Sequence, residues 1–167
     1  MKVTRIAILL LAASALERFV GASPHRSLVP VDWFLLATAI VARSGDFVRA
    51  VLTGAAAGFL EDGVSQQLLG MNAFAKAVLG YALTLVSVRV VFGGALAVGA
   101  ALAAAALVNE AIVALLAALL LQSPIVILSR AALWRAAATG VTGGALEAAW
   151  AFPWRDWWKR RQLRRLR

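Results

Sequence analysis

Few residues in this chain could do chemistry, and their types narrow the options. The 167 residues include no cysteine and a single histidine. Disulfides, thiolate metal sites and cysteine nucleophiles are therefore excluded. His25 sits in the polar stretch Ser23-Pro24-His25-Arg26-Ser27. The usual zinc sites need more His or Cys than that, so neither a metal nor a cofactor is expected. Ser14, Ser44 and Ser65 have no histidine base within reach along the sequence. No nucleophile elbow, phosphate loop or metal-ligand spacing occurs. No catalytic residue is assigned and no enzyme is expected.

What remains is acids set among apolar residues. Glu110 lies inside LAAAALVNEAIVALLAALLL. A charge at a bilayer centre costs roughly 2.5–3.5 kcal/mol on insertion scales, so such a residue faces protein and finds a partner. Arg135 is the natural one. Glu110 lies 12 residues before Gln122, and Arg135 lies 11 residues after Pro124. At about 1.5 Å per residue both are roughly 17 Å from the turn between them. An antiparallel hairpin would bring them to matching depth, with Asn109 adding a hydrogen bond. The plainer reading is an ion pair that fixes helix register. The sharper one is a ligand or proton site. Glu147, near the end of the last apolar segment, needs only interfacial exposure.

Glu61 and Asp62 stand in the most particular stretch, Gly54 to Tyr81, GAAAGFLEDGVSQQLLGMNAFAKAVLGY. It reads as two apolar helices around a short break. Glu61-Asp62-Gly63 closes the first helix, Gly63 and Gly70 permit a tight re-entry, and Asn72 caps the second. Taken alone this is a capped loop at a membrane surface.

The elements that would hold these residues follow from composition. The chain is 62% hydrophobic and 15% charged, against about 45–50% and 25% in soluble domains. Its mean hydropathy is +0.83. The expected fold is an all-α polytopic membrane protein, with six transmembrane helices in one compact bundle over residues 1–152. Candidate spans are Val3–Val20, Val31–Ala42, Phe47–Leu60, Ala73–Phe92, Gly93–Leu121 and Pro124–Trp150. A crossing needs about 17–25 residues, so the second and third are short. A five-span count, with the second as a partial insertion, is the rival. Lys2 and Arg5, an apolar run and Ala13-Ser14-Ala15 resemble a cleavable signal, but the apolar run continues to Val20. The first span is expected to be retained.

Six spans put both termini on one side. Cytoplasmic termini leave 12 of the 17 Lys and Arg residues inside and 4 outside (Arg18, Arg26, Lys76 and Arg130), with Arg135 inside a span. The positive-inside rule selects that orientation. Glu61 and Asp62 then fall on the outer side. Residues 153–167 form a basic tail, and seven basic residues lie between Arg155 and Arg167. Trp150, Trp154, Trp157 and Trp158 read as an interfacial anchor, and the tail as a surface helix touching anionic lipid. Nucleic acid is not the expected partner.

Small residues give another signal. Gly54 and Gly58 form a GxxxG step, and Gly140, Gly143 and Gly144 a similar face, which permit close helix approach. Intramolecular packing is the plainer reading. A docking face for another protein's helix is the sharper one.

Gly58-Phe59-Leu60-Glu61-Asp62, Leu69-Gly70-Met71-Asn72-Ala73, Lys76 and Gly80-Tyr81 together resemble the bacterial rod shape-determining protein MreD family. The resembling stretch covers 28 of the 167 residues. Length, span number and basic tail agree with that family over the rest. The alanine-rich fifth and sixth spans depart from it. The resemblance implies a non-enzymatic inner-membrane scaffold of the cell-elongation complex. It would partner the bitopic protein MreC, and through it MreB and the RodA/penicillin-binding-protein pair. By position the family residues would be Gly58, Asp62, Gly70, Asn72 and Gly80, in packing or interface roles beside Gly54. Self-association as a homodimer stays open. In fold the family is similar to the substrate-binding S-components of energy-coupling-factor vitamin transporters. That supplies the alternative, a small-molecule binding subunit, which needs a cavity lined by polar and aromatic groups. Asn109, Glu110, Arg135, Trp33 and Tyr81 are its candidates.

Overall fold

The computed structural model describes residues 3–22, 30–65, 68–89, 94–122 and 129–151. Among these the chain is all helix, with no strand. The elements are α1 (Val3–Ala22), α2 (Trp33–Ala42), α3 (Phe47–Ser65), α4 (Met71–Arg89), α5 (Ala95–Leu121) and α6 (Arg130–Ala151). Each expected span overlaps one helix.

α4 and α5 are long and apolar enough to cross a bilayer. α1, α3 and α6 have 20, 19 and 22 residues. Each carries three charged side chains, against two in α4 and one in α5. α2 has only 10 residues, a rise of about 15 Å.

α2 is the hub of the molecule. Seven of its ten residues are buried, as befits a helix that is apolar all round. Leu35 packs with Leu79 of α4, Ala105 and Ala106 of α5 and Ala136 of α6. Phe34 and Ala37 pack with Ala13 of α1 and Ala57 of α3. Val31 and Leu36 pack with Leu102 of α5. Asp32 starts α2 as its N-cap, and Oδ1 accepts the Leu35 N–H at 2.7 Å, a cap type the helix start favours.

Two antiparallel hairpins flank α2. In α3–α4 the backbones touch. A Cβ added at Gly54 would strike the Lys76 carbonyl, and one at Gly58 the backbone of Asn72 and Ala73. From the other side, a Cβ at Gly80 would lie 2.5 Å from the Ala50 carbonyl oxygen. In α5–α6 a Cβ at Gly140 would lie 2.7 Å from the Gly99 oxygen. α5 and α6 pack on each other far more than on the rest.

Several expectations change. α3 does not end at Leu60: Glu61, Asp62 and Gly63 are helical, and the helix runs to Ser65. Asn72 is the second residue of α4, so it is not the cap. α5 is continuous over 27 residues. Residues 90–93, 123–128 and 152–167 lie outside the described residues, and with them the tail and Trp154, Trp157 and Trp158.

Candidate functional site

The acids that were expected at a surface break are buried inside the bundle. Glu61 is 6% exposed and Asp62 1%. They are adjacent on α3 but serve different helices.

Asp62 caps α4 from outside it. The first N–H groups of a helix have no partner within it, and a carboxylate there is favoured by the helix dipole. Asp62 Oδ2 accepts the Gly70 N–H at 2.7 Å. Its Oδ1 accepts from the Asn72 backbone N–H at 3.2 Å and from Asn72 Nδ2 at 2.8 Å. Gly70 has φ +105°, a conformation open to glycine and few other residues. Asp62, Gly70 and Asn72 thus form one joint between α3 and α4.

Glu61 joins a charge cluster. Lys76, one turn into α4, is fully buried rather than at an outer surface as the sequence suggested. Its Nζ donates to Asp32 Oδ2 at 2.9 Å and lies 2.5 Å from Glu61 Oε2. One ammonium therefore bridges α3 to the start of α2. The Asp32 N–H donates to Thr139 Oγ1 of α6 at 3.0 Å. Arg135 Nη1 donates to Glu110 Oε1 at 3.0 Å, which is the expected pairing of α5 with α6. Arg135 lies one helical turn from Thr139 on α6. Side chains from five helical elements so meet in one polar network, with Lys76 at its centre.

A second tie lies near the other end of α2. Arg43, its C-cap, pairs with Glu147 of α6 through both guanidinium nitrogens, and Nη2 to Oε1 is 3.1 Å. Glu147 is thus engaged rather than simply exposed.

Gly54, Gly58 and Gly80 sit in the α3–α4 seam, so that surface is used within the chain. Trp150 is exposed. Tyr81 stacks on Phe47 with ring centroids 5.2 Å apart. Trp33 lies against the apolar core with Nε1 buried and unpaired, and Asn109 Oδ1 is likewise buried without a hydrogen bond.

Sequence reasoning missed Asp32 and the burial of Lys76. Both signals were present. An Asp directly before an apolar run is an N-cap signature. A lysine inside an apolar helix is subject to the rule applied to Glu110.

Chemically the network holds helices together. Among the described residues no group of three or more His, Cys, Asp or Glu could hold a metal ion. A groove of about 580 Å³ lies elsewhere, along α5 and α6, lined by Ala and Gly with Leu96 and Val141. It carries no acid, base or nucleophile. Comparison with protein-family models, with curated proteins and with solved structures yields no match.

Proposed function

We propose that this chain is a non-enzymatic, multi-pass scaffold of the bacterial inner membrane, similar to MreD, that binds MreC. Through MreC it would support MreB-directed, RodA-dependent peptidoglycan synthesis and cell shape. The observation that carries this reading is how the side chains are distributed. The buried charges of the network are engaged by other helices of the same chain, while large apolar side chains face outward along α3 to α6. Leu52, Phe74, Leu119 and Val141 are all more than half exposed. Such a surface suits lipid or an apolar partner helix. The Gly58-to-Tyr81 pattern supports the family assignment.

In this reading all six helices cross or insert, and both termini are cytoplasmic. The tail 153–167 lies on anionic lipid. α2 is short, but Pro30–Asp32 precede it without helix and add up to about 10 Å to its 15 Å. Its N-terminal end, at Val31 and Asp32, is enclosed by protein, where short segments are tolerated. The α5–α6 groove, apolar and walled by small residues, is the proposed seat of the MreC transmembrane helix.

A substrate-binding subunit is the second reading, favoured by one observation, the buried, unpaired Asn109 Oδ1. Copurification from native membranes in mild detergent separates the two. Recovery of a single-span coiled-coil protein with cell-wall synthases supports the scaffold. Recovery of ATPases with a coupling subunit supports the transporter, and recovery of neither set overturns both.

A further inference from the structure

The interior network holds more acid than base. Asp32 at the start of α2, Glu61 on α3 and Lys76 on α4 meet directly, and Arg135 on α6, paired with Glu110 on α5, stands one turn from the Thr139 hydroxyl that takes the Asp32 N–H. That is three carboxyl groups and two cations. Asp62, beside Glu61, adds no cation; its charge is held by the N–H groups at the start of α4. An unbalanced charge sealed from water is costly, so the network as a whole favours one bound positive charge.

The hydrogen bonds show where that charge belongs. Asp32 is fully served as a carboxylate, with Leu35 N–H on Oδ1 and Lys76 Nζ on Oδ2. Glu110 is about a quarter exposed and bonded to Arg135. Glu61 Oε2 differs from both. It is buried 2.5 Å from the Lys76 ammonium nitrogen, outside the alignment of a regular hydrogen bond, and shares that cation with Asp32.

We propose that this network is a proton-binding site, with one exchangeable proton held by the Glu61 carboxyl group against the Asp32–Lys76 pair. Protonated, Glu61 leaves Lys76 to pair with Asp32 and Arg135 to pair with Glu110, and the interior is neutral. Losing the proton leaves an extra negative charge between α2, α3 and α4. An unfolded chain has Glu61 in water and ionised near neutral pH. Folding therefore takes up a proton, and stability falls as the pH rises. The inference is independent of the scaffold reading and uses none of its partners.

Infrared difference spectroscopy of the full chain in lipid nanodiscs tests it. The carbonyl stretch of a protonated carboxyl group is expected at neutral pH and lost on alkalinisation. It is expected to shift when glutamate, and not aspartate, carries a carbon-13 carboxyl label. Glu61→Gln is expected to abolish it. If that variant does not fold, Glu61→Asp must abolish the glutamate-labelled band, while Glu17→Gln and Glu147→Gln, outside the network, must keep it. Absence of a protonated glutamate band at neutral pH overturns the proposal. So does its survival in folded Glu61→Gln or Glu61→Asp, or its loss in Glu17→Gln or Glu147→Gln.

Discussion

The two hairpins of this molecule solve the same packing problem with different means. α3–α4 and α5–α6 each bring two backbones together at glycines. In α3–α4 the contact is reinforced by buried polar groups: Asp62 caps the neighbouring helix, and Lys76 reaches back to Glu61. In α5–α6 the seam is almost wholly Ala and Gly, with a single ion pair, Glu110–Arg135, at its middle. The first hairpin can pair in only one register, because a shift would strand a buried charge. The second could slide at little cost but for that pair. Close packing shapes both hairpins, and buried charge constrains α3–α4 at more points than α5–α6.

The sharpest way to break the contrast is to remove the bridge. Lys76→Met leaves Asp32 and Glu61 facing each other without their cation. Breaking a buried pair from one side costs about 3–5 kcal/mol, so a large fall in the thermal midpoint of the detergent-solubilised protein is expected. An unchanged midpoint would mean that the bridge does not hold the fold.

Volume comes next. Gly58→Leu drives a side chain into the backbone of Asn72 and Ala73, and overpacking costs about 1–3 kcal/mol, sometimes more. Reduced monodisperse yield in size-exclusion chromatography would show it. Five residues on, Gly63 meets nothing within 4 Å. Gly63→Ala in the same helix is expected to stabilise by about 0.5–1 kcal/mol, since helical glycine is disfavoured by that much. Two losses of similar size would show that α3 is not packed as described.

Arg135 and Glu110 refine the picture of the second hairpin. Arg135 is bonded to Glu110 and stands one turn from Thr139, whose hydroxyl takes the Asp32 N–H. Arg135→Gln is therefore expected to cost about 1–3 kcal/mol, and Glu110→Gln, one-quarter exposed with one partner, no more than about 1 kcal/mol. The swap Glu110→Arg with Arg135→Glu is expected not to recover the loss, because it sets a third acid beside Asp32 and Glu61. Full recovery in a heat-inactivation series would show that the pair stands apart from the network. The smallest effect belongs to Arg43→Ala. Its pair with Glu147 is half exposed on the Arg43 side, and such pairs contribute about 0–1 kcal/mol, less in salt.

Much of the helical plan was legible because apolar run length and Gly, Ser or Pro breaks carry it. The Glu110–Arg135 pairing was legible too, since equal spacing from a turn translates directly into equal depth. The joint at Glu61 and Asp62 was not. Acids beside a glycine look like a break, and only the neighbouring helix explains why they stay helical: Asp62 finds N–H donors on α4, and Glu61 finds Lys76. Asn72 resembles a cap by type, yet here the cap comes from Asp62, ten residues earlier. Lys76 looked interfacial because it lies one turn from a helix start. Its partner Asp32 is 44 residues away, a separation that no local pattern reports.

The central claim is that the buried Lys76 ammonium holds Asp32 and Glu61 together. The most direct test compares Lys76→Met with the triple variant Asp32→Asn, Glu61→Gln, Lys76→Met, both by thermal midpoint in nanodiscs. If the claim is right, Lys76→Met is strongly destabilised and the neutral triple variant regains most of the loss, because no charge is left buried alone. A triple variant as unstable as Lys76→Met would contradict it.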